Sequence, residues 1–295
     1  MGRDAVAMRP AANDLFDQAD RVLGYSLREL CFVGPEDQLK ETQNTQPALY
    51  VSSAATLGVL RDGGIRPFAV AGHSLGEYTA LLAARVYDFD TGLRLVSTRG
   101  RAFAEAGKVA EGAMAAILGL DVEKVIALCA EASAAGIVVP ANLNDPSQTV
   151  ISGSPEGVDA ACELAKAAGA KRALRLPVSG AFHSPLVATA GEIMREALAR
   201  ESLRQPDCYF VNNVDASLVA DPEAIADSLV RQVTGAVRWT DTVLKLVELG
   251  AEAFVEVGSG KVLSGLVRRI AKDIPVYTTE NEDAIRRTIT ELSSE

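Results

Sequence analysis

Apolar positions along this chain repeat with two periods, and the periods alternate. Leu15, Ala19, Val22 and Leu23 fall on one face of a helix that Asn13 or Asp14 can cap. A second helix is expected from Asn44-Thr45, with Pro47 near its first turn, to Gly63-Gly64. The apolar run 67–71 reads as a short strand leading directly into a helix over 77–85. Asp90 opens the next helix, which carries Leu93, Val96, Arg99 and Phe103.

The middle of the chain has its own order. Strands are expected at 113–118, 137–142, 149–153 and 172–178, with helices over 121–133 and 155–168. Asn144-Asp145-Pro146 makes the turn between the two central strands. This β-α-β-β-α-β succession is ferredoxin-like and self-contained, so it reads as an insertion. The expected division is a large α/β subdomain over 1–110 and 179–295, with a small subdomain over 111–178. Beyond it, Ser184-Pro185 caps a helix through Leu198, and Asp221-Pro222 starts another through Gln232. Strands are expected at 209–212, 252–257 and 274–278. Helices are expected at 240–249, after Gly258-Ser259-Gly260, and at 283–292. Strands alternating with helices imply a parallel sheet covered on both faces, the large α/β-hydrolase-like part of an α/β fold.

Composition narrows the function classes. The formal charge of −10 argues against broad nucleic-acid binding. No apolar run approaches the roughly 18 residues of a membrane span, and Met1-Gly2-Arg3-Asp4 opens no signal peptide. Cys31, Cys129, Cys162 and Cys208 form neither a CxxC pair nor a metal-ligand spacing. A cytoplasmic protein with reduced thiols, no metal and no membrane contact is expected.

The chemistry concentrates at Gly72-His73-Ser74-Leu75-Gly76. A GxSxG between an apolar strand and a helix is the setting of a nucleophile elbow. The glycines are expected to admit a turn that side chains would block, lifting Ser74 off the sheet. The Leu75 N–H and the helix N-terminus then face a developing oxyanion. The chain has two histidines. His73 adjoins the serine and reads as a packed structural residue. His183 precedes a helix start, where a general base can project. No carboxylate between Ser74 and His183 sits at a recognisable strand end, so a backbone carbonyl is a candidate to orient the imidazole.

Four segments then carry a specific resemblance. Gly72-His73-Ser74-Leu75-Gly76-Glu77 resembles the GHSLGE motif of malonyl-CoA:acyl carrier protein transacylases. Thr45-Gln46-Pro47-Ala48-Leu49 resembles their TQPAL segment and Gly180-Ala181-Phe182-His183-Ser184 their GAFHS. Glu256-Val257-Gly258-Ser259-Gly260-Lys261-Val262-Leu263 is similar to their EVGPGKVL, with Ser259 for a proline. The resemblance runs from Met1 to at least Ile270. It implies that Ser74 is acylated and His183 is the base. It implies that Arg99 pairs with the malonyl carboxylate, a task suited to a guanidinium fork. Gln46 would line the site, and Gln232 would hold His183 through its backbone carbonyl. Asn142 and Gln148 match site-proximal positions. Leu75 and Phe182 follow the malonyl-type pattern, the phenyl ring leaving little room for an α-methyl branch. Malonyl-CoA and an acyl carrier protein are the implied partners of a monomer whose coenzyme A thioester is substrate, with no cofactor. Lys261, Arg268 and Arg269 are a candidate patch for carrier or coenzyme A phosphate.

Members of that family begin with a short strand and a Gly-Gln-Gly-Ser-Gln loop, which this chain lacks. An upstream natural start is expected, together with loss here of one parallel strand and one oxyanion donor. Three other readings fit the motifs: a serine hydrolase or thioesterase, a malonyltransferase of polyketide synthesis, and a weakened or non-catalytic carrier-binding homologue.

Overall fold

The computed structural model describes residues 1–178 and 180–293. The expected boundary at 179, and the last two residues of the chain, lie outside the described residues. Five helices come first: α1 (Arg3–Met8), α2 (Ala12–Leu23), α3 (Leu27–Phe32), α4 (Glu36–Lys40) and α5 (Thr42–Asp62). Strand β1 (Ala69–Val70) leads into α6 (Gly76–Ala83), and α7 (Phe89–Val109) follows. The middle contains β2 (Ala113–Leu118), α8 (Val122–Ala132), β3 (Val138–Asp145), β4 (Gln148–Gly153), α9 (Pro155–Ala167) and β5 (Arg172–Arg175). A 3-10 turn, Pro185–Val187, precedes α10 (Ala188–Leu198). Then come β6 (Tyr209–Phe210), α11 (Pro222–Thr234), α12 (Trp239–Glu248), β7 (Phe254–Glu256), α13 (Val262–Ile270), β8 (Val276–Thr278) and α14 (Glu282–Leu292).

The small subdomain follows from its alternation and its caps. Asp121 accepts the Lys124 N–H and Ser154 the Gly157 N–H, fixing where α8 and α9 begin. The strand order is β3-β4-β2-β5, with every neighbour antiparallel. That is the ferredoxin-like arrangement. Ala113, Ala115, Ile117 and Ile151 pack with Val125, Cys129, Val158 and Ala161 of the two helices. Met114, Ala116, Ala141 and Val150 form a second cluster that meets Phe182.

The large part is α/β, with parallel strands in two short pairs, β1 with β6 and β7 with β8. The expected strands 67–71 and 209–212 shrink to two ladder residues each, because a ladder ends where its partner departs. Several helix starts also differ. Asp88, not Asp90, caps α7 by accepting the Thr91 N–H. Ala11 precedes α2, and no Asn13 or Asp14 side chain caps it. The α5 helix starts at Thr42, so Pro47 lies inside it rather than in its first turn. Buried Tyr50, Tyr78, Leu93, Phe16 and Phe210 centre the main core. Among the described residues, no helix is long and apolar enough to cross a membrane.

Candidate active site

Ser74 sits in the turn between β1 and α6 with φ 52°, a left-handed conformation that non-glycine residues seldom adopt. Gly72 makes the turn possible. A Cβ there would lie 2.0 Å from both C and O of Gly76. The expectation that a side chain would clash at Gly76 is corrected: a Cβ there meets nothing within 4 Å. The turn is therefore tight on one side only.

The Ser74 hydroxyl lies 2.8 Å from His183 Nε2, and His183 Nδ1 lies 2.8 Å from the Gln232 carbonyl oxygen. A carbonyl only accepts, so Nδ1 carries the proton and Nε2 is left to accept from Ser74. The carbonyl thus does what a carboxylate does in a three-residue hydrolase site. His183 is buried, and its own φ is 59°. Burial, then the nearby Arg99 charge, pushes its pKa down to about 3, keeping it neutral and basic in form. His73 faces elsewhere. Its Nε2 lies 2.8 Å from Asn144 Oδ1, and its ring packs on Trp239 with centroids 5.6 Å apart. It ties the elbow to β3 and has no contact with the nucleophile.

Arg99 comes to the serine from the middle of α7. Its Nη2 donates to Ser74 Oγ at 2.9 Å and to Gln232 Oε1 at 2.9 Å, and its Nη1 donates to Gln46 Oε1 at 2.8 Å. The guanidinium is 2 % exposed and lies over the Phe103 ring, 4.6 Å from its centroid. Each of these acceptors is neutral. A buried cation without a directly bonded anion is costly and has a high appetite for one. Phe182 packs its ring on Phe103, with centroids 5.0 Å apart, and so forms the wall behind the guanidinium. Leu75 is buried, and its N–H donates to no protein acceptor among the described residues. Asn142 is buried at a seam where the main chain of β3 bridges to Val237. Gln148 faces Arg269, 3.4 Å away, beside the Arg269–Asp145 ion pair of 2.7 Å. The structure brings Ser74, His183, Arg99, Gln46 and Gln232 together and leaves Gln148 outside that cluster.

Two further groups lie behind the elbow, and the sequence reading assigns a role to neither. Asn213 Oδ1 accepts the Ser74 N–H at 2.8 Å, and its Nδ2 donates to the Gly72 carbonyl at 2.7 Å. Glu77, fully buried in the first turn of α6, accepts the Asn213 N–H at 2.9 Å. Its other oxygen accepts from Gln232 Nε2. Burial pushes the Glu77 carboxyl up to about 8, against the pull of these two donors and of Arg99. A carboxylate inside an otherwise apolar helix start is the available signal for Glu77. Asn213 leaves none, being a loop residue that the fold brings across 139 positions of chain.

Nearby geometry sets limits. Two concavities, of about 160 and 570 Å³, open at the other end of β1, beside Pro67 and Cys208. Neither is lined by Ser74, His183 or Arg99. Among the described residues, no group of three or more His, Cys, Asp and Glu side chains is placed to hold a metal ion. What remains is a serine–histidine pair beside a buried guanidinium, an arrangement suited to covalent acyl chemistry on a substrate bearing an anion.

Known proteins match this picture over the whole chain. The acyl transferase domain family matches residues 1–284. The malonyl CoA-acyl carrier protein transacylase of Bacillus subtilis (strain 168) is 40% identical over 296 residues, spanning 100% of this chain and 93% of the relative. That of Escherichia coli (strain K12) is 42% identical over 283 residues, spanning 96% and 92%. The acyl-carrier-protein S-malonyltransferase structure from Burkholderia pseudomallei 1710b has a TM-score of 0.94 at 43% identity, covering 97% of this chain and 94% of that one. The complex of a type II PKS acyl-carrier protein with its malonyl-transacylase contains a chain matching with TM-score 0.95 at 40% identity, covering 99% and 94%. This chain belongs to the acyl transferase domain family, among the malonyl CoA-acyl carrier protein transacylases.

Proposed function

We propose that this chain moves a malonyl group from malonyl-CoA to the phosphopantetheine thiol of an acyl carrier protein, for fatty-acid synthesis, through an ester on Ser74. The observation that carries the reading is Arg99: a buried guanidinium, held only by neutral oxygens, 2.9 Å from the nucleophile.

In the first half-reaction His183 Nε2 takes the Ser74 proton as Oγ attacks the thioester carbon. The oxyanion forms facing the Leu75 N–H and the start of α6. It collapses with cleavage of the C–S bond, and the proton on His183 passes to the coenzyme A thiolate. In the second half-reaction His183 takes the carrier thiol's proton and the sulfur attacks the ester carbon. The C–O bond breaks and the proton returns to Ser74 Oγ. Once acylated, Oγ is a poor acceptor, so the Arg99 N–H that held it is released toward the malonyl carboxylate. An uncharged acyl chain offers that donor nothing. Phe182, behind Phe103, keeps the wall bulky against an α-methyl branch.

The same reading covers the architecture. Residues 1–110 and 179–295 form the catalytic unit, and 111–178 the small one, which the separate apolar clusters support. The reading is of a cytoplasmic monomer that needs no cofactor beyond its thioester substrate. The reading also keeps Asn142 near the site, on the strand that bridges to Val237.

The test mixes the protein with malonyl-CoA, without carrier, and follows intact and peptide masses beside Ser74→Ala. A malonyl adduct confined to Ser74 is expected, discharging to a phosphopantetheine thiol faster than to water. A folded protein that takes no adduct would overturn the transferase reading. An adduct lost mainly to water would make the protein a hydrolase.

A further inference from the structure

Gln232 has two jobs. Its main-chain carbonyl holds His183, while its side-chain amide lies between Arg99 and Glu77. An amide has two unlike ends, so its orientation matters. Arg99 offers only donors and must meet Oε1. That leaves Nε2 to reach the Ser74 carbonyl at 2.9 Å and the Glu77 carboxyl beyond it. Its neighbours select this orientation: Arg99 takes Oε1, while the Ser74 carbonyl, Asn213 Oδ1 at 3.3 Å and the buried Glu77 carboxyl take Nε2. One Glu77 oxygen is taken by the fixed Asn213 main-chain N–H, and the other faces Nε2. Either protonation state of a carboxyl still accepts at that oxygen.

We propose that Glu77 is a positioning residue for acyl-group selection: it fixes the Gln232 amide so that its oxygen anchors Arg99 in line with the acyl group on Ser74. The inference rests on the malonyl-transfer reading above. Glu77 touches neither Ser74 Oγ nor His183, so its effect falls on recognition of the carboxylate rather than on the nucleophile.

Glu77→Gln is the informative change. The new amide must turn its oxygen to the Asn213 N–H, which points its NH2 at Gln232 Nε2. Two donors then face each other. Turning Gln232 over relieves that clash and creates the same clash with Arg99. In the second arrangement Arg99 loses its acceptor, and in the first the amide that holds Arg99 is pushed off its place. The kcat/KM for malonyl-CoA is expected to fall about ten- to a hundredfold, the loss of one charge-assisted bond. Most of the fall should appear in KM. The rate with acetyl-CoA, and labelling of Ser74 by a fluorophosphonate, should change by no more than about threefold. Equal losses with both thioesters, or a collapse of labelling in folded protein, would place Glu77 in elbow support and overturn the inference.

Gln232→Leu keeps the carbonyl on His183 and removes the amide link. If Glu77 acts through Gln232, adding Glu77→Gln to Gln232→Leu should lower the malonyl-to-acetyl ratio no further, and additive losses would refute it. Should Glu77→Gln fail to fold, Gln232→Leu alone must lower the ratio about tenfold, and an unchanged ratio counts against the inference. Native protein that forms no malonyl adduct indicts the transferase reading instead. Native protein that forms the adduct, with variants of unchanged selectivity, indicts only the role of Glu77.

Discussion

The small subdomain and the elbow region are built on opposite principles. Around β2, β4, α8 and α9 the interior is alanine, valine, isoleucine and cysteine, held by area removed from water. Around Ser74 the interior is Gln46, Glu77, Arg99, His183, Asn213 and Gln232, each at 6 % exposure or less. These groups are tolerated because each is bonded to another member of the set. The elbow also keeps two non-glycine residues, Ser74 and His183, in left-handed backbone. The difference teaches where this molecule keeps its stability and where it spends it. Apolar layers tolerate loss of a methylene at a graded cost. In a polar network, removing one bond leaves a buried partner unpaired, at a cost that falls on that partner's task.

Three measurements sharpen or break that contrast. The largest effect is expected from His183→Ala, which should cut formation of the Ser74 adduct at least about a thousandfold. Folding should be retained, as read by circular dichroism. An adduct forming at more than a tenth of the native rate would remove His183 from the role of base. Next in size is Ile151→Ala, in the centre of the small sheet. It should cost about 2–5 kcal/mol of unfolding free energy in urea titration. Fluorophosphonate labelling per folded molecule should stay the same. If labelling falls in step with stability, the two regions are not separate in the way described.

The smallest effect is an expected absence of change. His183 is held near pKa 3 by burial and Arg99. Its labelling-competent neutral form should therefore persist, and the rate per folded molecule should be flat from about pH 7.5 to about 5, a range spanning the ordinary imidazole pKa. A fall centred near 6.5 would show an ordinary, hydrated imidazole. Stability should move in the other sense. A His183 pKa depressed on folding means that the unfolded chain takes the proton first. That contribution is lost as pH drops below about 6.5. Glu77, raised to about 8, runs oppositely: the folded form retains a proton the unfolded chain releases above about 4.5, and this support fades as pH rises through 8.

Where an element is stabilised by its own neighbours, local rules suffice to place it. The strand Ala113–Leu118 stands where its pattern puts it, and the helix expected from Asp221-Pro222 begins there, capped by Asp221. The parallel strands come out shorter than the pattern implies, since an apolar run such as 67–71 carries no information about how far its partner follows. The site divides in the same way. Ser74 and His183 announce themselves through a turn motif and the scarcity of histidine. Arg99, on a helix of ordinary amphipathic pattern, does not stand out without the family resemblance. Asn213 is invisible in the sequence, because its work is done entirely by contacts across the fold. Gln148 is drawn in by resemblance, and its side-chain oxygen accepts from Arg269.

The His183 Nδ1 of this site meets a peptide oxygen, and that has a genetic consequence. A carboxylate partner can be deleted by one nucleotide change, whereas a main-chain carbonyl has no codon. Substitution at position 232 alters what the side chain does for Arg99 and Glu77 and leaves the oxygen that faces His183 Nδ1 chemically intact. Variation there can explore which acyl groups are accepted while the proton-transfer pair is inherited unchanged.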